Sequence, residues 1–268
     1  MRIEDYELLY RLENTFWWFV GMRKIAATLL EPFCPRAGFP RRVLDVGCGT
    51  GGNLFWLQRY AGTGTVTGID PADAAIHFCQ TRDHQSVAKA SATELPFRDS
   101  VFDLITCFDV LVQLPGTGDE EALREIYRVL RPGGIVLIRV AAYEWMRSSH
   151  DDALGTVRRY ELKSLTALMT EVGFCPLRST YANSLLFPAA AFRRLVLKRI
   201  GLAAAGSDVQ PLPPRFQWLN GVLTRVLAKE ATWLKRRQRK LRGGLSVICL
   251  AAKPAAVQGS QEQVLTLK

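Results

Sequence analysis

The 268 residues, 48% of them hydrophobic, suffice for one α/β domain with a sizeable core and are few for two full domains. The net charge of +10 is concentrated: between Arg193 and Arg242 thirteen Lys or Arg stand against two acids, Asp208 and Glu230. Such a segment suits nucleic acid, acidic headgroups or a phosphorylated substrate, and equally a solvated helix face.

The six cysteines are scattered, without a C-x-x-C pair or a Cys/His cluster, so reduced thiols in a cytoplasmic protein are expected, and neither a disulfide framework nor a metal site. The opening Met1-Arg2-Ile3-Glu4-Asp5 lacks the character of a signal peptide, and no apolar run approaches the ~18 residues of a membrane span.

Residues 1–31 read as one or two amphipathic helices rich in aromatic side chains, densest at Thr15-Phe16-Trp17-Trp18-Phe19. Trp17 and Trp18 are adjacent, so one is expected to pack on the sheet edge and the other to form a lid and an apolar wall for a substrate. Prolines 32, 35 and 40 then lead into a short buried strand, Arg42-Val43-Leu44.

The chain is organised around the stretch Asp45-Val46-Gly47-Cys48-Gly49-Thr50-Gly51-Gly52-Asn53. Glycine permits positive φ and close approach of backbone to a ligand. The turn opens a helix, Leu54 to Tyr60, whose first N–H groups face whatever binds there. A second strand, Gly64 to Ile69, ends on Asp70, placed to accept both hydrogen bonds of a ribose diol. A nicotinamide dinucleotide site would use Gly52 as its third glycine, but Asp45 would repel a pyrophosphate and suits an ammonium group instead.

A helix is expected from Pro71 to Cys79, and its His77 reads as structural. Strands are expected at Ser86–Ala90, Leu104–Phe108, Ile135–Val140, Cys175–Tyr181 and Leu245–Ala251, with helices at Glu120–Leu130 and Glu161–Val172. Two insertions fall beyond the carboxyl ends of the strands: Ala141 to Tyr160, and about sixty residues from Ala182 to Arg242 that include an apolar, basic helix from Leu185 to Ile200. The divisions expected are a helical cap at 1–40, a core at 41–181, a helical insertion at 182–242, a last core strand at 243–253 and a disordered tail at 254–268.

The glycine-rich stretch resembles motif I of the class I S-adenosylmethionine (SAM) dependent methyltransferases: a strand, an acid, then G-x-G-x-G. The segment Ser91-Ala92-Thr93-Glu94-Leu95-Pro96-Phe97-Arg98-Asp99-Ser100-Val101-Phe102-Asp103 is similar to that superfamily's D-A-x-x-L-P-F-x-D-x-x-F-D, with Ser91 at the acid that commonly meets adenine. Phe108-Asp109-Val110-Leu111-Val112-Gln113-Leu114 resembles its D-V-L-E-H-L, with Gln113 where histidine is usual, and Arg128-Val129-Leu130-Arg131-Pro132-Gly133-Gly134 matches a frequent structural signature. Glu13-Asn14-Thr15-Phe16-Trp17-Trp18, His150-Asp151-Asp152-Ala153-Leu154-Gly155-Thr156-Val157-Arg158-Arg159-Tyr160 and Gly243-Gly244-Leu245-Ser246 are similar to motifs of a bacterial subgroup of type 11 methyltransferases.

The resemblance implies a Rossmann-like α/β fold, with a seven-stranded, mostly parallel sheet and helices on both faces. It implies SAM held by Asp45, Gly47, Cys48, Gly49, Asp70, Pro71, Ser91, Ala92, Thr93 and Phe108. Methyl transfer needs alignment and sometimes a base. Of the three histidines only His150 lies in a loop expected at the site, so it is the candidate base, with the Tyr160 hydroxyl as a second catalytic candidate. Trp17, Trp18, Gln113, Arg158 and Arg159 are the expected substrate contacts, the arginines as a phosphate or carboxylate clamp. The expected acceptor is a small or lipid-linked anionic molecule reached at the inner face of a membrane. The alternatives are RNA methylation and a SAM-binding scaffold without catalysis.

Overall fold

The computed structural model describes residues 3–36, 38–193 and 211–255, without the side chains of Ser149, His150 and Ala153. The expected tail beyond residue 255 and residues 194–210 of the second insertion lie outside the described residues. Seven strands form one sheet: β1 (Arg42–Val46), β2 (Thr65–Asp70), β3 (Val87–Lys89), β4 (Phe102–Phe108), β5 (Leu130–Ala141), β6 (Cys175–Ala182) and β7 (Ser246–Ala252). Their spatial order is β3-β2-β1-β4-β5-β7-β6. The first five run parallel, and β7 is antiparallel to both β5 and β6. The chain moves outward from β1 through β2 to β3, then returns to the other side of β1 with β4. This reversal leaves a crevice at the carboxyl ends of β1 and β4, where open α/β sheets bind ligands.

Strand alternation sorts side chains onto the two faces. Leu44, Val46, Ile105, Cys107, Val136, Ile138 and Val140 point into one core with α5 (Gly118–Val129) and α7 (Leu162–Val172). Val43, Leu104, Leu137, Ile248 and Leu250 point to the other, beneath α2 (Trp17–Leu30), α3 (Gly52–Ala61) and α9 (Trp218–Leu234). The amino-terminal residues form two helices, α1 (Ile3–Leu12) and α2, because Glu13-Asn14-Thr15 breaks the run. α4 (Asp73–Thr81) links β2 to β3.

The first insertion contains α6 (Ser149–Leu154), opened by a reciprocal capping box between Ser148 and Asp151. The second contributes α8 (Phe187–Phe192) and α9, which packs along α2. Among the described residues no helix is long and apolar enough to cross a membrane.

Candidate functional site

The turn after β1 is pinned to the tip of β2. The amides of Gly47 and Cys48 both donate to the Ile69 carbonyl at 2.8 Å, and the Gly49 amide donates to Asp70 Oδ2 at 3.1 Å. Gly47 has φ +72°, and a Cβ there would come within 2.2 Å of Val110, so only glycine fits. The turn delivers the chain into α3 with its backbone facing the crevice.

Two acids flank this turn and differ in role. Asp70 lines the cavity, and its other oxygen accepts the Ala72 amide at 3.0 Å. A carboxylate offers about four acceptor sites, so each oxygen retains a lone pair for a ligand hydroxyl. Burial raises the pKa of Asp70, against the pull of these two amides. Asp45 departs from the expected ligand contact. Its position in β1 is directly opposite Thr106 in β4, its Oδ1 accepts the Thr106 hydroxyl at 2.6 Å, and it is not among the residues that line the cavity. Among the described residues its Oδ2 has no hydrogen-bond partner, and burial pushes its pKa up to about 7.

Pro71, Ser91, Ala92, Cys48 and Phe108 line the same cavity. Thr93 does not, because its amide and hydroxyl turn back onto the Ser91 hydroxyl at 3.2 and 2.8 Å.

The amino-terminal cap closes the site from above the turn. Glu13, at the end of α1, is buried; its carboxylate accepts the Thr50 hydroxyl and pairs with Arg82 at 2.7 Å. A Cβ at Gly52 would lie 2.3 Å from this carboxylate, so the glycine is needed for the contact. Burial raises the pKa of Glu13 although these partners oppose it. Tyr6 lines the cavity as a neutral phenol, its pKa pushed up to about 12 by burial and then by the Asp70 charge. Trp17 and Trp18 both line the cavity and both pack against the sheet core, so the expected division of roles between them does not occur.

A cationic group built into the cavity wall is Arg139 of β5. It follows Leu137 on the α2 face of the sheet, is buried, and is sandwiched between the rings of Trp18 at 4.7 Å and Phe108 at 4.6 Å. Its Nε and Nη2 both donate to Asp109 Oδ2, at 3.0 and 2.6 Å, and among the described residues Nη1 has no partner. A single arginine within an apolar strand carries no sequence signal of its own; strand alternation alone could have placed it under Trp18.

The expected arginine clamp is not a pair. Arg158 donates from Nη1 to Asp119 Oδ2 at 2.7 Å and does not line the cavity. Arg159 does line it, but its Nε and Nη2 are held by the buried Asp151 at 2.8 and 3.1 Å. Tyr160 is buried, and its hydroxyl donates to the same Asp119 oxygen at 2.6 Å. Burial and that bond raise its pKa, so the phenol is a structural donor and stands away from the cavity wall. Gln113 lines the cavity from a short turn after β4. His150 belongs to α6, which reaches the cavity through Asp151 and Leu154, but its side chain lies outside the described residues.

The cavity so enclosed has a volume of about 730 Å³, suited to a cofactor and part of a second molecule. A nucleoside with a charged amino-acid tail fits its donor set: Asp70 for a diol, the glycine turn for close backbone approach, and Arg139 beyond β4.

A family model described as "Methyltransferase domain" matches residues 44–138. Over 97 residues the chain is 38% identical to the "Probable phthiotriol/phenolphthiotriol dimycocerosates methyltransferase 2" of Mycobacterium ulcerans, covering 35% of this chain and 37% of that protein. Over 122 residues it is 35% identical to the "Fatty-acid O-methyltransferase" of Mycolicibacterium smegmatis, covering 42% and 44%. The matches therefore span under half the length of either relative. Geranyl diphosphate methyltransferase, solved in complex with SAM, superposes with a TM-score of 0.57 at 14% identity over 86% of this chain and 85% of that one, a likeness of fold. The matched residues build most of β1, the glycine turn, β2, β3, β4 with its Phe108 and most of β5, so this stretch of the chain matches a methyltransferase domain, and the fold is the Rossmann-like fold of SAM-dependent methyltransferases.

Proposed function

We propose that the chain transfers the methyl group of SAM to a lipid-related or small amphipathic acceptor that carries an anionic group. The carrying observation is the buried guanidinium of Arg139, whose Nη1 has no partner among the described residues, in a cavity whose lining also includes the apolar side chains of Leu9, Trp17, Trp18, Val112 and Leu186. An apolar body would lie against these side chains, and a carboxylate or phosphate would meet Nη1. Two relatives named for fatty-acid and phthiotriol dimycocerosate methylation support a lipid-like acceptor.

Bound SAM supplies a methyl group activated on a sulfonium. The chain supplies alignment and exclusion of water, which methyl transfer chiefly requires. Asp70 would hold the ribose diol, Gly47 and Gly49 the amino-acid tail, and Ser91 with Ala92 the adenine. Trp17 and Trp18 would shield the reacting atoms, Gln113 would border the acceptor, and His150 is the candidate for taking up a proton on α6.

Calorimetry with S-adenosylhomocysteine tests the cofactor half. Asp70→Ala is expected to weaken binding by about 10- to 100-fold, the range for a hydrogen-bonded charged group. Transfer from labelled SAM to paired long-chain acids and alcohols tests the other half. Arg139→Gln should lower kcat/KM for the acid by a similar factor and leave the alcohol within about threefold. Equal losses on both acceptors would remove the anion-binding role of Arg139.

A further inference from the structure

We infer that the outward face of α9 seats the protein on an anionic lipid surface, a reading independent of which acceptor is methylated. The buried face of α9 is Leu227, Glu230, Ala231 and Leu234, laid against α2. Its outward residues recur at helical spacing, Trp218, Val222, Arg225, Lys229 and Trp233, and the exposed Arg236 follows just past its end. The acid of this helix is turned inward, where the Glu230 carboxylate accepts the amides of Asn183 and Ser184, the latter at 2.8 Å. The outward stripe therefore carries cations and apolar groups without a compensating anion.

The exposure of the tryptophans decides between partners. Trp218 is 64% exposed and Trp233 49%, with Val222 at 38% between them. A helix that serves only to keep the chain soluble has no need of two large rings in water. Nucleic acid would satisfy Arg225, Lys229 and Arg236 but gives Val222 nothing to enter. A bilayer interface accommodates all six, with the rings and the valine at the acyl boundary and the cations among the headgroups.

The helix that carries this surface is tied to the wall of the cavity. Asn220 near the start of α9 joins it to α2, accepting the amide of Trp17 at 2.7 Å and donating to the Thr15 carbonyl at 2.8 Å. α8 follows the cavity-lining Leu186 and exposes Phe192 at 56%, and Leu185, just before it, is 58% exposed. An acceptor with an acyl or prenyl body would thus reach the cavity from the lipid on which α9 rests.

Co-sedimentation of the full chain with vesicles tests the inference. Vesicles of phosphatidylcholine with one-third phosphatidylglycerol should pellet the protein, pure phosphatidylcholine should not, and added salt should weaken the association. Arg225→Gln with Lys229→Gln should lower the partition coefficient about 30-fold, because two cations no longer meet the headgroups. Trp218→Ala with Trp233→Ala should also lower it and abolish the blue shift of tryptophan fluorescence that vesicles induce in the parent. Both double variants should bind S-adenosylhomocysteine as the parent does, which shows that they fold. No preference for the anionic vesicles, or variants that pellet like the parent, would overturn the inference. So would binding of an RNA homopolymer, sensitive to the Arg225 and Lys229 changes, without binding of vesicles.

Discussion

Asp45 shows how one buried carboxylate sets a pH dependence. The side chain that looked suited to a ligand ammonium instead stands opposite Thr106, with Oδ2 unpartnered among the described residues and a pKa raised from 3.8 to about 7 by burial. Between these values the folded chain keeps the proton and the unfolded chain releases it. Stability contributed by this group therefore falls as pH rises from about 4 to about 7 and levels off above, since the unfolded state binds fewer protons throughout that window. The whole effect is on the order of 4 kcal/mol. Asp70, Glu13 and Glu230 are also raised by burial, so the parent curve alone does not isolate Asp45. Asp45→Asn does, because asparagine can still accept the Thr106 hydroxyl but cannot ionise. In urea denaturation without ligand, the variant should gain on the parent by roughly that amount between about pH 4 and about pH 8. A constant difference across the range would show that Asp45 ionises in the folded state as it does in the unfolded one.

At the scale of elements, the glycine turn is a joint between the core and the cap. Glu13 closes it by binding Thr50 and Arg82, while Arg23 of α2 donates to the Glu13 carbonyl at 2.6 Å. Glu13→Gln keeps an acceptor for Thr50 and removes the charge that Arg82 faces. It should speed amide hydrogen exchange in the turn and weaken S-adenosylhomocysteine binding about tenfold, or ~1.4 kcal/mol, without changing the cavity walls around Arg139. Exchange and affinity equal to the parent's would show that the cap holds the turn by packing alone. The turn and the sheet were legible because their signals are local: glycine spacing, apolar runs, and an acid at the tip of β2. The joint was not, because Glu13 and Thr50 are 37 positions apart and the motif that begins at Glu13 carries no sign of its partner. The arginines part company because Asp119, 39 positions away, claims Arg158 across space, while Asp151, within the insertion, holds Arg159 at the cavity wall.

At the scale of the molecule, the helices outside the sheet are built into one wall of the site. α9 rests on α2, and α2 carries Trp18 over Arg139. The start of α2 has no side-chain cap of its own at Phe16; Asn220 supplies one from α9 by accepting the amide of Trp17. This bond, 203 positions apart in sequence, fixes where the tryptophans stand relative to the core. Asn220→Ala should cost about 1 to 2 kcal/mol in urea denaturation, the range for a lost helix cap. If α9 sets the acceptor wall through α2, the variant should raise KM for an amphipathic acceptor severalfold and leave KM for SAM near the parent value, because Asp70 and the turn are held by β2 and Glu13. An equal rise in both would mean that the cap moves as one body. A stability loss with neither KM changed would assign Asn220 to folding alone.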